Sequence, residues 1–207
     1  IGKRKKSPYP PFITSTLEQD SARRLYFSPQ KTMVVAQQLY EGIELGEKGP
    51  VGLITYMRTD SVRISDSAKK AAYDFIKENF GSEYLPDKPR EYKSKKTAQE
   101  AHEAIRPTYL EYAPGEIKKY LSEDQFKLYQ LIYNRFLASQ MKEALYDTTT
   151  VEIDGDGYTF RATSSELIFD GFLKVYQEIK EENGEEEKAV KLPILNKGEK
   201  LKLLKLD

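Results

Sequence analysis

Tyr56 and Arg58 are the pair whose types and spacing could do chemistry together. They follow the apolar run Val51-Gly52-Leu53-Ile54-Thr55. If that run is extended, side chains alternate with period two, so Tyr56 and Arg58 share a face while Met57 points the other way. A free phenol, with a pKa near ~10, attacks phosphorus poorly at pH 7. A guanidinium beside it favours the phenolate and can grip two phosphate oxygens at once. The chemistry suggested is phosphoryl transfer to tyrosine. The residues also allow a structural alternative: the chain has 15 tyrosines, and a tyrosine at a strand end commonly packs its ring and hydrogen-bonds its hydroxyl.

The elements around this pair can be read in order. Residues 1–10 form a basic, proline-containing linker, with Lys3, Arg4, Lys5 and Lys6 followed by Pro8 and Pro10. Capping-box spacings at Ser15/Glu18 and Thr16/Gln19 predict a helix over residues 17–25. Ser28 caps a second helix, with Pro29 at its first position and Gly42 stopping it. A glycine-rich loop then delivers the chain to Tyr56, and no Gly-Lys-Ser/Thr follows at phosphate-loop distance, so no nucleotide-triphosphate site is expected. Ser65 with Asp66 caps a helix closed by Gly81. Tyr56 thus sits between a strand end and a helix start, where free backbone N–H groups can meet phosphate.

Residues 86–96 form a loop in which Lys88, Arg90, Lys93, Lys95 and Lys96 outnumber Asp87 and Glu91, a candidate phosphate-contacting patch. Thr97 is predicted to open a short helix ending before Pro107, which would put His102 and Arg106 on one face at i, i+4. Ser122 and Gln125 form a capping box for a long helix to about residue 142, whose Phe126, Tyr129, Tyr133, Phe136 and Leu137 read as core. From Tyr146 the period becomes two. Asp154-Gly155-Asp156-Gly157 turns a hairpin, and residues 167–176 and 192–206 are further strand candidates. The two aspartates of that turn are better explained by turn geometry than by a metal. The helical and β parts are expected to be separate domains, divided near residue 143.

Composition bounds the rest. At 207 residues with 39% hydrophobic content the chain can bury a substantial core. It has no cysteine and one histidine, which excludes disulfides and multi-histidine metal sites. No apolar run approaches membrane-spanning length and nothing reads as a signal peptide, so the expected compartment is the cytoplasm. Charge balances at 33 basic and 33 acidic residues, but the first 40 residues carry seven basic side chains against two acidic ones. The acidic run from Glu181 to Glu187 reads as a solvated loop. Starting at Ile1 and ending in an alternating segment, the chain reads as a piece of a longer protein.

Two stretches carry a resemblance. Ile54-Thr55-Tyr56-Met57-Arg58-Thr59-Asp60-Ser61 resembles the active-site signature of the type IA DNA topoisomerases, and Ala101-His102-Glu103-Ala104-Ile105-Arg106-Pro107-Thr108 resembles their second signature. The likeness also runs through Pro11-Phe12-Ile13-Thr14-Ser15-Thr16-Leu17, Lys31-Thr32-Met33 and Leu39-Tyr40-Glu41-Gly42, and fades in the last few dozen residues. Met57 after the tyrosine is similar to the bacterial topoisomerase I branch.

The resemblance implies an α+β fold: a mostly helical winged-helix-like (CAP-like) domain over 11–142, then part of an antiparallel β domain, the gate arch, over 143–207. It implies that Tyr56 attacks a phosphodiester of single-stranded DNA to form a 5′-phosphotyrosine, conserving bond energy so that rejoining needs no ATP. The intact enzyme would relax negatively supercoiled DNA. Arg58 would stabilise the phosphoryl charge, and His102 would donate a hydrogen bond to the scissile or adjacent phosphate. Arg106, Lys95 and Lys96 would add phosphate contacts, with Arg106 equally open to a loop-anchoring role. Thr59, Asp60 and Ser61 would line or orient the DNA-binding loop. The family also needs Mg²⁺ on a separate acid-rich domain of the parent chain. No Asp-x-Asp-x-Glu cluster occurs here, so the fragment alone is expected to be inactive.

Other readings remain. A tyrosine recombinase also forms phosphotyrosine, but its Arg and His-x-x-Arg elements precede the tyrosine, whereas here Tyr56 comes first. A non-catalytic winged-helix DNA-binding module would keep Tyr56 in the core, and an interaction scaffold would bind no DNA.

Overall fold

The structure, a computed structural model, describes residues 2–92, 102–177, 192–193, 195–202 and 205. Helices predominate in the first two-thirds and an antiparallel sheet follows, with one departure: the sheet borrows its first strand from the amino terminus. Strand β1 (Gly2–Lys6) pairs antiparallel with β4 (Ala144–Gly155), which pairs in turn with β5 (Tyr158–Phe169), in the order β1-β4-β5. The basic stretch read as a linker is therefore an edge strand. Its repeated lysines suit that position, since charged side chains deter further strands from pairing with an exposed edge.

Caps define the helices. Helix α2 (Pro29–Glu41) begins at Ser28, whose hydroxyl accepts from Lys31 N–H, and stops at Gly42. Helix α3 (Asp66–Asn79) starts on Ser65, and α5 (Glu123–Gln140) on the reciprocal Ser122/Gln125 box. Helix α1 (Thr14–Leu25) starts three residues before its predicted position. The Thr16 hydroxyl accepts from Ile13 N–H, which caps the earlier turn and leaves Thr14 free for another use. It ends on Tyr26 in the left-handed region, φ 57°. A short α4 (Pro114–Ile117) precedes α5.

Helix α5 is the core's spine. Leu128, Tyr129, Ile132, Tyr133 and Leu137 are buried in one cluster with Phe12, Leu17, Leu39, Leu53, Met57 and Ile105, and Phe136 in a second with Ile64, Ala68 and Ala72. Tyr129 and Tyr133 donate their hydroxyls to the carbonyls of Tyr112 (2.8 Å) and Leu110 (2.7 Å), satisfying polar groups that burial would otherwise leave costly. Tyr129, Tyr133 and Phe136 are core, as their spacing predicts, whereas Phe126 is only half-buried, with Lys118 over its ring, because it lies on the first turns of α5 outside the packed clusters.

Two strand expectations fail. Leu167, Ile168 and Phe169 end β5, but Gly171–Lys174 is a 3-10 turn that buries Phe172 against the helices. Among the described residues between 192 and 205 no strand forms. The expected helix into Arg106 is also absent over the described residues 102–106, which run extended. The part of it over 97–101 lies outside the described residues.

Candidate active site

Tyr56 lies on a loop built from three sides. Only Pro50–Val51 is a true strand, β3, paired with β2 (Ile43–Glu44). Beyond it the chain is irregular, bridged at Ile54 and bent at Met57 and Arg58, and its backbone groups are taken by distant segments. Leu53 N–H donates to the Leu39 carbonyl at the end of α2 (2.8 Å). Gly52 passes so near that helix end that a Cβ there would stand 2.7 Å from the Tyr40 carbonyl oxygen. On the second side, Thr55 N–H donates to the Arg106 carbonyl (3.0 Å) and Thr108 N–H to the Leu53 carbonyl (3.0 Å), with a bridge between Ile54 and Pro107. On the third, Thr14 N–H donates to the Thr59 carbonyl (3.0 Å), while the Thr14 hydroxyl donates to the Met57 carbonyl (2.7 Å) and accepts from Thr59 N–H (2.9 Å).

The same bonds explain why residues 102–108 are not helical. Ala104 N–H donates to the Arg63 carbonyl (2.8 Å), Ile105 N–H to the Phe12 carbonyl (2.8 Å), and the Arg106 and Thr108 backbones serve Thr55 and Leu53. The Thr55 hydroxyl stitches the two signatures together, donating to the Ala104 carbonyl (2.7 Å) and accepting from Arg106 N–H (3.0 Å). With these partners supplied by other segments, helical i, i+4 pairing has nothing left to satisfy. His102 reaches the site from this extended strip, half-buried, its ring centroid 5.9 Å from that of Tyr56.

Alternation along the loop sorts the candidate residues. Tyr56, Arg58 and Asp60 are exposed; Met57, Thr59 and Ser61 are buried. Tyr56 has 40% of its surface accessible, so it is no core residue. Among the described residues the Arg58 guanidinium has no ion pair or hydrogen bond, with Asp60 or any other group. It is a fixed backbone position carrying an unengaged cation, the property an anionic ligand requires.

Thr59 and Ser61, expected to line or orient the DNA-binding loop, turn inward. The Thr59 hydroxyl accepts from Ser61 N–H (3.0 Å) and the Ser61 hydroxyl from Arg63 N–H (3.2 Å), so they shape the loop from beneath. Arg106 is half-buried and holds Glu103 (Nε to Oε2, 2.7 Å) and the Pro107 carbonyl (2.9 Å), which favours the anchoring alternative. Arg90 of the basic loop is likewise committed, to Glu143 (2.8 Å) and the Met141 carbonyl (2.7 Å). Lys93, Lys95 and Lys96 lie outside the described residues. Thr14, Thr55 and Thr108 are the positioning residues that sequence reasoning missed. Thr55 and Thr108 lie inside the signatures, but a threonine beside a candidate nucleophile carries no signal of where its hydroxyl goes.

No group of three or more His, Cys, Asp or Glu side chains among the described residues could hold a metal ion. No helix among them is long and apolar enough to cross a membrane.

A family model described as DNA topoisomerase matches residues 2–207. The chain belongs to the DNA topoisomerase family. It is similar to DNA topoisomerase 1 of Xylella fastidiosa, 48% identical over 204 residues, which is 97% of this chain and 25% of that protein. DNA topoisomerase 1 of Rickettsia bellii is 49% identical over 201 residues, 96% of this chain and 25% of the relative. The solved structure of full-length topoisomerase I from Thermotoga maritima superposes with a TM-score of 0.75 at 46% identity, covering 86% of this chain and 29% of that one. The topoisomerase segment seen here thus spans about a quarter of the length of the curated relatives it matches.

Proposed function

We propose that this chain is the nucleophile-bearing segment of a type IA topoisomerase, in which Tyr56 cleaves and rejoins single-stranded DNA. The observation that carries the reading is the Tyr56 loop itself. An exposed phenol, a guanidinium two residues on that no described residue engages and an imidazole 5.9 Å away ride on a backbone clamped from three sides. The Tyr56 oxygen attacks phosphorus, the bond from phosphorus to the 3′-oxygen breaks, and a 5′-phosphotyrosine forms while the phenolic proton ends on the departing 3′-hydroxyl. Arg58 stabilises the charge that gathers on the non-bridging oxygens, and His102 donates a hydrogen bond to the same or the adjacent phosphate. Asp60 stands at the rim of the loop. The reverse attack by the 3′-hydroxyl reseals the strand, so the cycle runs without ATP and relaxes negatively supercoiled DNA.

The helical part serves as a winged-helix-like domain over 11–142 and the β hairpin as the base of the gate arch. The Mg²⁺-binding acidic half comes from elsewhere in a longer polypeptide, and the enzyme works in the cytoplasm on the nucleoid. What supports the division is that the chain spans about a quarter of the length of the curated relatives it matches. The exposure of Tyr56 speaks against the alternative of a non-catalytic module with that ring in its core.

The test is covalent capture. A single-stranded oligonucleotide and Mg²⁺ are incubated with this chain alone and with the whole-length enzyme, and detergent-resistant protein–DNA adducts are counted. An adduct is expected only from the whole-length enzyme, and none with Tyr56→Phe. Efficient capture by this chain alone would overturn the division into halves. An adduct that survives Tyr56→Phe would overturn the mechanism.

A further inference from the structure

One exposed aromatic side chain stands against the reacting phenol without a part in the mechanism above. Tyr40, the penultimate residue of α2, lies edge-on to Tyr56, with ring centroids 5.5 Å apart and planes inclined by 63°. Its backbone is held by the close approach of Gly52 and by the Leu53-to-Leu39 hydrogen bond (2.8 Å), so the ring rides on a rigid helix end. Yet the side chain is incompletely used. It is 40% exposed, and among the described residues its hydroxyl makes no hydrogen bond. A tyrosine that only filled space would be covered, and one that only anchored a loop would have its hydroxyl partnered. Tyr26 and Tyr158 are more exposed still, but they sit at the left-handed end of α1 and beside the hairpin turn, without a ring neighbour among the described residues.

We propose that Tyr40 is a positioning residue for the DNA strand. Its open ring surface stacks the base flanking the phosphate that Tyr56 attacks, and its contact with Tyr56 narrows the rotamers of the nucleophile. The inference rests on the reading of Tyr56 as nucleophile. A base hangs one sugar away from its phosphate. A phosphate at the Tyr56 hydroxyl therefore brings the flanking base within reach of a ring centred 5.5 Å from that of Tyr56. Every base offers a π face, so the contact holds single strands without reading their sequence. Bases already stacked in a duplex cannot use it, which makes Tyr40 a discriminator for unpaired DNA.

The test uses the whole-length enzyme carrying Tyr56→Phe, so that binding is read without cutting. The probe is a single-stranded oligonucleotide with 2-aminopurine, whose fluorescence stacking quenches, on either side of the cleaved phosphate. Quenching is expected in this background and with Tyr40→Phe added. Tyr40→Leu abolishes it and weakens binding of the oligonucleotide about tenfold, while binding of blunt duplex is unchanged. Tyr40→Trp deepens the quench, a reading independent of whether the leucine variant folds. Quenching that is absent before Tyr40 is altered, that survives Tyr40→Leu, or that Tyr40→Trp leaves unchanged overturns the proposal. The functional reading stands or falls separately, on the adduct formed with Tyr56 intact.

Discussion

Two clusters in this molecule are made from the same side chains and use them in opposite ways. At the Tyr56 loop a tyrosine and an arginine are exposed and, among the described residues, make no side-chain hydrogen bond or ion pair, and it is the backbone beneath them that is saturated with hydrogen bonds. Around Tyr176 the side chains engage one another. The Tyr176 hydroxyl donates to the Asp20 carboxylate and accepts from Arg135 Nη1 (3.2 Å), Arg24 lies over its ring (4.4 Å), and Arg135 also covers Phe12 and Tyr9. Burial first and the Asp20 hydrogen bond second push the Tyr176 phenol up to about 12, so it holds its proton too firmly to serve as a nucleophile. A reactive tyrosine needs more than an arginine nearby. It needs side chains left open on a backbone that is not.

Replacing each phenol by a phenyl ring breaks the comparison most sharply. Tyr56→Phe is expected to abolish the covalent DNA adduct of the whole-length enzyme while leaving the unfolding free energy within ~0.5 kcal/mol, as for surface changes generally. Tyr176→Phe is expected to do the reverse, keeping the adduct and costing about 1–2 kcal/mol in a urea titration. If Tyr176→Phe loses the adduct in a folded protein, the two clusters are not functionally distinct.

The arginines sharpen the same contrast. Arg58→Ala removes a cation that no protein group engages among the described residues. Adduct formation should fall about 10²–10³-fold, the cost typical of deleting one transition-state donor, with stability nearly unchanged. Arg135 is buried, donates to the Pro10 carbonyl (2.8 Å) and stacks on three rings. Arg135→Ala should cost about 3 kcal/mol or more, because Asp20 and the Pro10 carbonyl lose a buried partner. Equal stability losses for the two exchanges would show that Arg58 is structural after all.

The contrast also shows what could be read from residue types alone. The helices with strong caps, at Ser28, Ser65 and Ser122, were legible because capping is local chemistry, and the hairpin because Asp156-Gly157 specifies its own turn. The alternation that exposes Tyr56 and Arg58 and buries Met57 was legible from period two. The Thr14 clamp was not, since its partners Met57 and Thr59 stand more than 40 positions away. Nor was the extended course of residues 102–108, whose helical spacing is overridden by bonds to Phe12, Leu53, Thr55 and Arg63. The strand at Gly2–Lys6 was hidden because its partner β4 begins at Ala144.

Thr14 gives a smaller effect that joins the two regions' logic, a saturated group acting on an open one. Thr14→Val removes the hydroxyl that holds the Met57 carbonyl and Thr59 N–H, and should cost about 1–2 kcal/mol of stability. Adduct formation should fall about tenfold as the loop loosens and the reacting groups lose alignment. Thr14→Ser keeps the hydroxyl and should retain both properties. A valine variant with full adduct yield would mean that the Arg58 position is set without this clamp.

The smallest expected effect lies where β1 joins the sheet. Lys5 (2.8 Å) and Arg90 (2.8 Å) both reach Glu143, and the Lys5 hydrogen bond, aided by a backbone hydrogen bond and the two positive charges, lowers its carboxyl from 4.5 to about 2. A carboxyl with a depressed folded-state pKa contributes stability that is fully present above its unfolded value, near 4.5, and is lost as pH falls towards 2. Because Lys5 is largely exposed, solvent screens much of the interaction, and the contribution should stay below about 1 kcal/mol. Urea titrations of this chain at pH 6 and pH 3 test it against Glu143→Gln, which cannot ionise. The wild-type chain should lose more stability than the variant between those two values, and the added loss should shrink in high salt, since Lys5 sits in water while Arg90 does not. Parallel losses in the two proteins would mean that the amino-terminal strand is held by its backbone ladder alone.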